Sequence, residues 1–523
     1  MSFFRANRHH EDIAGMTQNS NSRSDRIADS VVMLLAMTLL QRSMGFVRGV
    51  LFCRWLPAEE LGQWDMAWGF IELAAPLAML GLPGSFGRYV EYYRRQDHLR
   101  IFLRRTTIAT ASIACVTLLL MVANARSFSY LIFGTADKAF LILLVSLGLV
   151  AIIAYNFLTT LLTSLRRSRI VSSLEFANSA LFATLAIGLV ACWRADATSI
   201  IIAYSLACLV TAATSLRWLR PIWRTLPTAA GHLPHRELWS KLLPFAIWVW
   251  GTNWLANLFE VADRYMIVHC GGFDSVQAMV EVGNYHSSRV VPLLLVSVTG
   301  LLGTMMTPYL SHDWETGGAR MVSTRMNFML KILGMSLLMG AVVILIAAPV
   351  MFEVAFKGKF AGGQAVLPLT LAYCLWFGMT RVAQKYLWCA EHVRLAAAAW
   401  GVGLLMNIGL NFLLLPRLGL AGVVLSTVAG NVASLLTMYF FNMRHGMRID
   451  GGTWLVSASP ALLLTGFWPT VIGLAAIVLV AVSTSLVINA AEKQQLLDVW
   501  HDYFGRLRAG IERRTDTALK GAS

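Results

Sequence analysis

Several charged and amide side chains stand inside runs of sequence that are otherwise apolar. Arg42 and Arg48 fall within the run over 31–53, about 120° apart if that run is a helix. A guanidinium presents paired N–H donors that match phosphate oxygens, so the two suit an anionic, phosphate-bearing ligand. The plainer alternative pairs Arg42 with a neighbouring acid and lets Arg48 reach the interface. Asp65, Trp68 and Glu72 follow at i, i+3 and i+7, one face of a second helix. A buried carboxylate there could take up and release a proton or sodium ion, or Glu72 could neutralise an arginine of the first helix. Asn253, Asn257, Glu260 and Arg264 then form a polar stripe at i, i+4, i+7 and i+11 amid Trp, Leu, Phe and Val. That stripe suits a wet cavity wall; the competing account is helix–helix hydrogen bonding, with Glu260 and Arg264 paired at i,i+4. Arg289 poses the same choice. Charge inside a membrane costs about 2.5–3.5 kcal/mol per residue, so each of these positions needs a reason.

The elements that must hold these groups are membrane helices. Of 523 residues, 57% are hydrophobic and 14% charged, where a soluble protein has about a quarter charged. Apolar runs long enough to cross a hydrocarbon core recur along the chain. They are too long and unbroken for barrel strands. Spans are predicted near 31–53, 62–82, 104–123, 139–164, 171–193, 198–216, 242–268, 286–310, 327–350, 366–390, 396–415, 420–442, 454–468 and 470–489. The fold class is thus an all-α polytopic membrane protein of about fourteen helices. Lys and Arg test this threading: with those inside a span counted to its nearer end, 32 fall on one side and 8 on the other, leaving Arg42, Arg48 and Arg289 unassigned. The bias places both termini in the cytoplasm and makes the helix number even.

Other classes are excluded by what the chain lacks. The net charge of +15 sits in short loops between spans, as topology and anionic lipid require, so nucleic acid is not expected. Seven scattered cysteines form no CxxC or Cys/His cluster, so neither metal nor disulfides are expected, and no cofactor is implied. No GxxxxGK[ST] loop supports an ATP-driven pump. Residues 1–29 are polar and lack a signal-peptide core, so the first helix is expected to serve as its own uncleaved signal. Most of the 17 tryptophans are expected in interfacial belts.

The chain also echoes itself. Glu60-Leu61-Gly62-Gln63-Trp64 leads into the second span and Glu281-Val282-Gly283-Asn284-Tyr285 into the eighth. A six-helix offset keeps orientation, which implies a parallel repeat of two lobes. The expected organisation is a cytoplasmic tail (1–30), an N-lobe (31–216), a cytoplasmic linker (217–241), a C-lobe (242–442), a helix pair (443–490) and a basic amphipathic tail (491–523) lying on the inner leaflet. Gly45 and Gly49 form a GxxxG packing face.

These residues resemble the polysaccharide-exporter branch of the MOP flippase superfamily, which includes Wzx-type O-antigen flippases. The matching segments are Arg54–Trp64, Leu80–Tyr89, Ala262–Tyr265, Glu281–Tyr285 and Leu410–Gly422. Arg42–Arg48 is in turn similar to the first-helix segment of MurJ-type lipid II flippases, whose cavity arginine would be Arg48; the acidic residue that follows in that family is Gly49 here. The resemblance implies two six-helix lobes around a central cavity opening alternately to each side. It implies transport of a polyprenyl-pyrophosphate-linked oligosaccharide across the inner membrane, with no enzymatic step. Substrate contacts are expected from Arg42, Arg48, Arg88, Asn253, Asn257, Glu260, Arg264 and Arg289, and ion coupling from Asp65 or Glu72. Expected partners are the lipid-linked oligosaccharide, membrane lipids, H+ or Na+, and glycan polymerase machinery. The alternatives are a multidrug/cation antiporter of the same superfamily, disfavoured by arginines where a cation site wants carboxylates, and a membrane-bound glycan polymerase or ligase, for which the outward loops are too short.

Overall fold

In lipid, a backbone satisfies its own hydrogen bonds most simply as a helix, and every long regular element among the described residues is helical. The computed structural model describes residues 37–226, 233–494 and 497. The expected tail over 1–30 and most of the expected amphipathic tail over 491–523 lie outside the described residues.

The helices are α1 (37–55), α2 (Ala58–Met79), α3 (Phe86–Arg95), α4 (Leu99–Ala123), α5 (Ala125–Phe133), α6 (Ala139–Ser164), α7 (Ser168–Cys192) and α8 (Ala197–Thr225). They continue with α9 (His235–Cys270), α10 (Ser275–Arg289), α11 (Pro292–Val350), α12 (Ala361–Cys389), α13 (Val393–Leu418), α14 (Leu420–Arg444), α15 (Gly451–Ala458) and α16 (Phe467–Ser483). Among the described residues every predicted span overlaps a helix. Eight helices among the described residues are individually long and apolar enough to cross a membrane, which makes the chain a multi-pass membrane protein. The charges noted above lie on α1, α2, α9 and α10. The eighth predicted span, 286–310, is broken: α10 ends at Arg289 and α11 starts at Pro292, whose ring cannot continue the preceding ladder. Within α11, Gly318 takes φ +61°, a conformation that breaks the helix between 292 and 350.

Two units divide the chain. The first holds residues up to Val290 together with Val350–Gly363; the second holds Val291–Pro349 and everything from Gln364. The expected C-lobe starts at 242, but by contacts α9 and α10 pack within the first unit.

In the first unit, α2 and α10 cross at two glycines. A Cβ on Gly62 would fall on the Met279 carbonyl, and one on Gly283 would fall on the Ala58 carbonyl. Each glycine thus meets the backbone four residues before the other, a two-fold relation between the repeated motifs Glu60–Trp64 and Glu281–Tyr285. Close approach of small residues is what lets membrane helices pack without a hydrophobic driving force. Nearby, Arg54 at the end of α1 donates from Nη1 to the Val354 carbonyl at 2.9 Å, and Lys359 Nζ donates back to the Arg54 carbonyl at 2.9 Å.

In the second unit, α13 and α14 form an antiparallel pair joined at Gly419. A buried ion cluster ties its start to its end: Lys331 Nζ lies 2.6 Å from Asp450 Oδ2 and 3.0 Å from both Glu492 oxygens. Asp450 caps α15 by accepting from the Thr453 N–H at 2.7 Å, and Glu492 exchanges hydrogen bonds with the Asn489 backbone and side chain. Burial pushes the Asp450 carboxyl up, but the Lys331 and Thr453 hydrogen bonds outweigh it and hold the group below the usual range.

Two outcomes follow for thermal unfolding in detergent. Gly62→Ala and Gly283→Ala should each lower the midpoint, by about 1–3 kcal/mol or more of overpacking, while Gly188→Ala, with nothing within 4 Å of its added carbon, should be neutral or stabilising. Equal effects at the three sites would contradict the crossing. Lys331→Met should cost about 3–5 kcal/mol, because Glu492 is left buried without a cation, and Lys331→Met with Glu492→Leu should recover most of it. Asp450's own contribution should be complete above the ordinary aspartate value of about 3.9 and be lost as pH falls through its lower folded value; Asp450→Asn should remove that dependence.

Candidate functional site

A carboxylate clamp sits beside the glycine crossing. Asp65 stands one turn below Gly62 on α2, and His286 stands one turn below Gly283 on α10. The two-fold relation therefore brings these equivalent positions together: His286 Nδ1–H donates to Asp65 Oδ1 at 2.7 Å. On the other oxygen, Asp65 Oδ2 is 2.8 Å from Arg264 Nε on α9, and both side chains are buried. That contact is an ion pair in which the N–H and the oxygen are not aligned as a hydrogen bond. Gly69, one turn further along α2, makes the room: a Cβ there would stand 2.7 Å from Arg264 Nη1. Next to Arg264 in sequence, Asp263 accepts a hydrogen bond from Tyr285 OH of α10 at 2.8 Å. Adjacent residues of α9 thus grip two different helices. The Ala262–Tyr265 segment supplies both grips, and Glu281–Tyr285 supplies Gly283 and Tyr285.

Glu72 lies deeper on α2. Its charged neighbours are Glu260, Arg264, Arg289 and Asp65, and its backbone carbonyl accepts from Asn257 Nδ2 at 3.0 Å. Arg289 is buried, with its guanidinium carbon 5.1 Å from the Tyr285 ring centre. Asp65, Glu72, Asn257, Glu260, Arg264 and Arg289 are thereby gathered on α2, α9 and α10.

Two pairings weighed as alternatives from sequence are not the ones found. Arg264 pairs with Asp65 rather than with Glu260, since the carboxylate across the helix crossing approaches closer than the one four residues back. Glu72 is near the arginines of α9 and α10, not those of the first helix. The side chains of Arg88 and Asn253 lie outside the described residues.

α2 also carries aromatic rings. Trp68 meets Tyr204 of α8 at 4.9 Å between ring centres, and Tyr204 meets Phe182 of α7 at 4.8 Å. Trp64 and Phe52 complete the cluster. Trp68, on the same face as Asp65 and Glu72, packs on Tyr204, which also lies in the electrostatic range of Glu72. The half-buried Arg48 lays its guanidinium over Phe182, 4.0 Å from the ring centre, a cation–π contact of about 0.5–2 kcal/mol. Arg42 is exposed, and Glu175 on α7 is in its electrostatic range.

Sequence reasoning missed His286, Gly69, Asp263 and Tyr285. The signal was present: extending the repeat by one residue aligns Asp65 with His286. Among the described residues no group of His, Cys, Asp and Glu could hold a metal ion.

These features now meet three comparisons. The family of polysaccharide biosynthesis proteins matches residues 27–313, more than half of the chain. No curated protein matches the sequence. Among solved structures, the lipid II flippase MurJ in an inward closed conformation superposes with a TM-score of 0.67 at 13% identity, over 86% of this chain and 97% of that one. An inward-facing multidrug resistance MATE family transporter of the MOP superfamily gives 0.65 at 15%, over 77% and 94%. A MOP superfamily transporter from Pyrococcus furiosus gives 0.52 at 15%, over 79% and 92%. At these identities the likeness is one of fold. The chain belongs to the polysaccharide biosynthesis protein family and carries the fold of the MOP-superfamily transporters.

Proposed function

We propose that this protein is a flippase that carries a polyprenyl-pyrophosphate-linked oligosaccharide from the cytoplasmic to the outer leaflet of a bacterial inner membrane, with both termini cytoplasmic. The observation that carries the reading is the conjunction of a polysaccharide biosynthesis family with a transporter fold. In such a family the cargo to be moved is a glycan on its lipid carrier. Arg48, set among Phe182, Trp64, Trp68 and Tyr204, supports it further: a guanidinium for a pyrophosphate beside rings for sugar faces. Arg289 and Arg264 add positive charge deeper in the same unit. Arg42, Arg88, Asn253, Asn257 and Glu260 remain proposed substrate contacts.

Alternating access requires a contact that can be made and unmade. We read the α2–α9–α10 clamp as the lock of the outward end, where the charge bias puts the loops before α2 and α10. Asp65 is then a lock residue. Glu72, with Glu260, Arg264 and Arg289 as charged neighbours, is the better-placed coupling group. Glycan polymerase machinery would take the cargo on the outer side.

The nearest rival is a multidrug antiporter, favoured by the MATE likeness and by the Glu72–Glu260 neighbourhood. Arg48→Ala separates the two. The flippase reading expects surface glycan to be lost with normal insertion and abundance, and with no change in resistance to small cations. Normal glycan output in that variant would remove the head-group role.

The lock has its own test, in transport and in stability. Asp65→Asn should abolish or severely reduce glycan export. It should also destabilise the protein by about 3–5 kcal/mol, because Arg264 stays buried without its carboxylate. Adding Arg264→Gln to Asp65→Asn should recover part of the stability but none of the transport. Additive stability losses in a double-mutant cycle would deny the coupling.

A further inference from the structure

An apolar groove of about 1020 Å³ runs along the first unit between α4, α6 and the end of α8. It lies apart from the clamp and from the aromatic cluster around Arg48, and neither uses it. At one end it is lined by Arg104, Arg220 and Arg224. All three are exposed, and among the described residues none has an acidic partner within 4 Å. Beside them Trp223 is exposed, with the Arg100 guanidinium 5.9 Å from its ring, as at a membrane–water boundary. From Arg104 the groove follows α4 past Thr110 and Cys115 to Leu118. Fourteen residues of helix are about 21 Å, more than half of a hydrocarbon core about 30 Å thick.

One further atom points to a ligand with a polar group below its charge. Thr110 is 4% exposed and lines the groove, yet its hydroxyl has no hydrogen-bond partner among the described residues. The other threonines nearby differ: Thr106 and Thr107 both donate back to the Leu103 carbonyl. A buried hydroxyl left open in an apolar groove is costly unless something answers it. The order along the groove is three guanidiniums, one on α4 and two on α8, then an unanswered hydroxyl about 9 Å deeper along α4, then an apolar channel. That is the order of phosphate, ester and acyl chain in a glycerophospholipid.

We propose that this groove is a binding site for an anionic glycerophospholipid of the surrounding membrane. The phosphate lies among Arg104, Arg220 and Arg224, an ester oxygen accepts from Thr110, and one acyl chain fills the channel past Cys115. Charge complementarity chooses the occupant, since a zwitterionic lipid brings a cation to a cluster of three arginines. The site is independent of which cargo the protein moves. A second groove of similar make, about 1050 Å³, has Arg320 and Arg325 at one end in the second unit.

The test uses the full chain in proteoliposomes with photoreactive lipids bearing a diazirine midway along one acyl chain. Crosslinked peptides are mapped by mass spectrometry. A phosphatidylglycerol probe should label the α4 segment around Cys115 at least threefold more than a phosphatidylcholine probe. The preference should vanish in Arg104→Gln/Arg220→Gln/Arg224→Gln and weaken in Thr110→Val, and should persist in Arg166→Gln/Arg167→Gln/Arg169→Gln, which removes equal charge elsewhere. Thr110→Val changes no charge and keeps the test open if the triple variant does not fold. Equal labelling by both probes, or a preference that survives the triple variant, would overturn the proposal. So would displacement of the probe by polyprenyl phosphate at equal concentration, which would make the groove a cargo site instead.

Discussion

A carboxylate buried between a guanidinium and an imidazole is stable only if all three are held in register, and Asp65 imposes that condition on three helices at once. Asp65 needs α9 to bring Arg264 and α10 to bring His286. Those helices can come that close only because Gly62, Gly69 and Gly283 have no side chains. The glycines permit the approach and the charges fix it. Asp263 and Tyr285 then prevent α9 and α10 from sliding past one another.

The arrangement divides the labour of α2. One set of its residues is committed to charge and close packing against α9 and α10. Another, Trp64 and Trp68, reaches into the aromatic cluster that holds Arg48. A single helix thus links the proposed head-group arginine to the proposed lock. Any motion that separates α2 from α10 also moves the aromatic wall, which is what a carrier needs if cargo and gate are to be coupled.

Much of the fold was legible because lipid leaves the backbone few choices. Apolar runs marked the eight helices that are long and apolar enough to cross a membrane, while the short α3 and α5 fall outside the predicted spans. The break at Pro292 was not read from the pattern, since hydropathy averages across a single residue, whereas the break at Gly318 falls in the gap between the predicted spans 286–310 and 327–350. The site was half visible. Asp65, Glu72, Asn257, Glu260, Arg264 and Arg289 stood out because charge in an apolar run is conspicuous. Their partners did not, since helical spacing reports which residues share a face and says nothing of which face meets which helix. The partner weighed for Arg264 was accordingly Glu260, its neighbour in sequence, and not Asp65, its neighbour in space. Gly62 and Gly283 were read as signs of a repeat, yet they are also its point of contact.

The central claim is that the cargo is a glycan on its lipid carrier, moved outward. The most direct measurement is the leaflet-resolved pool of polyprenyl-linked oligosaccharide in cells with and without this protein. The account predicts that completed units accumulate on the cytoplasmic leaflet when the protein is absent. An unchanged pool with lowered resistance to small cations would contradict it in favour of an antiporter, and accumulation on the outer leaflet would contradict it in favour of a polymerase or ligase.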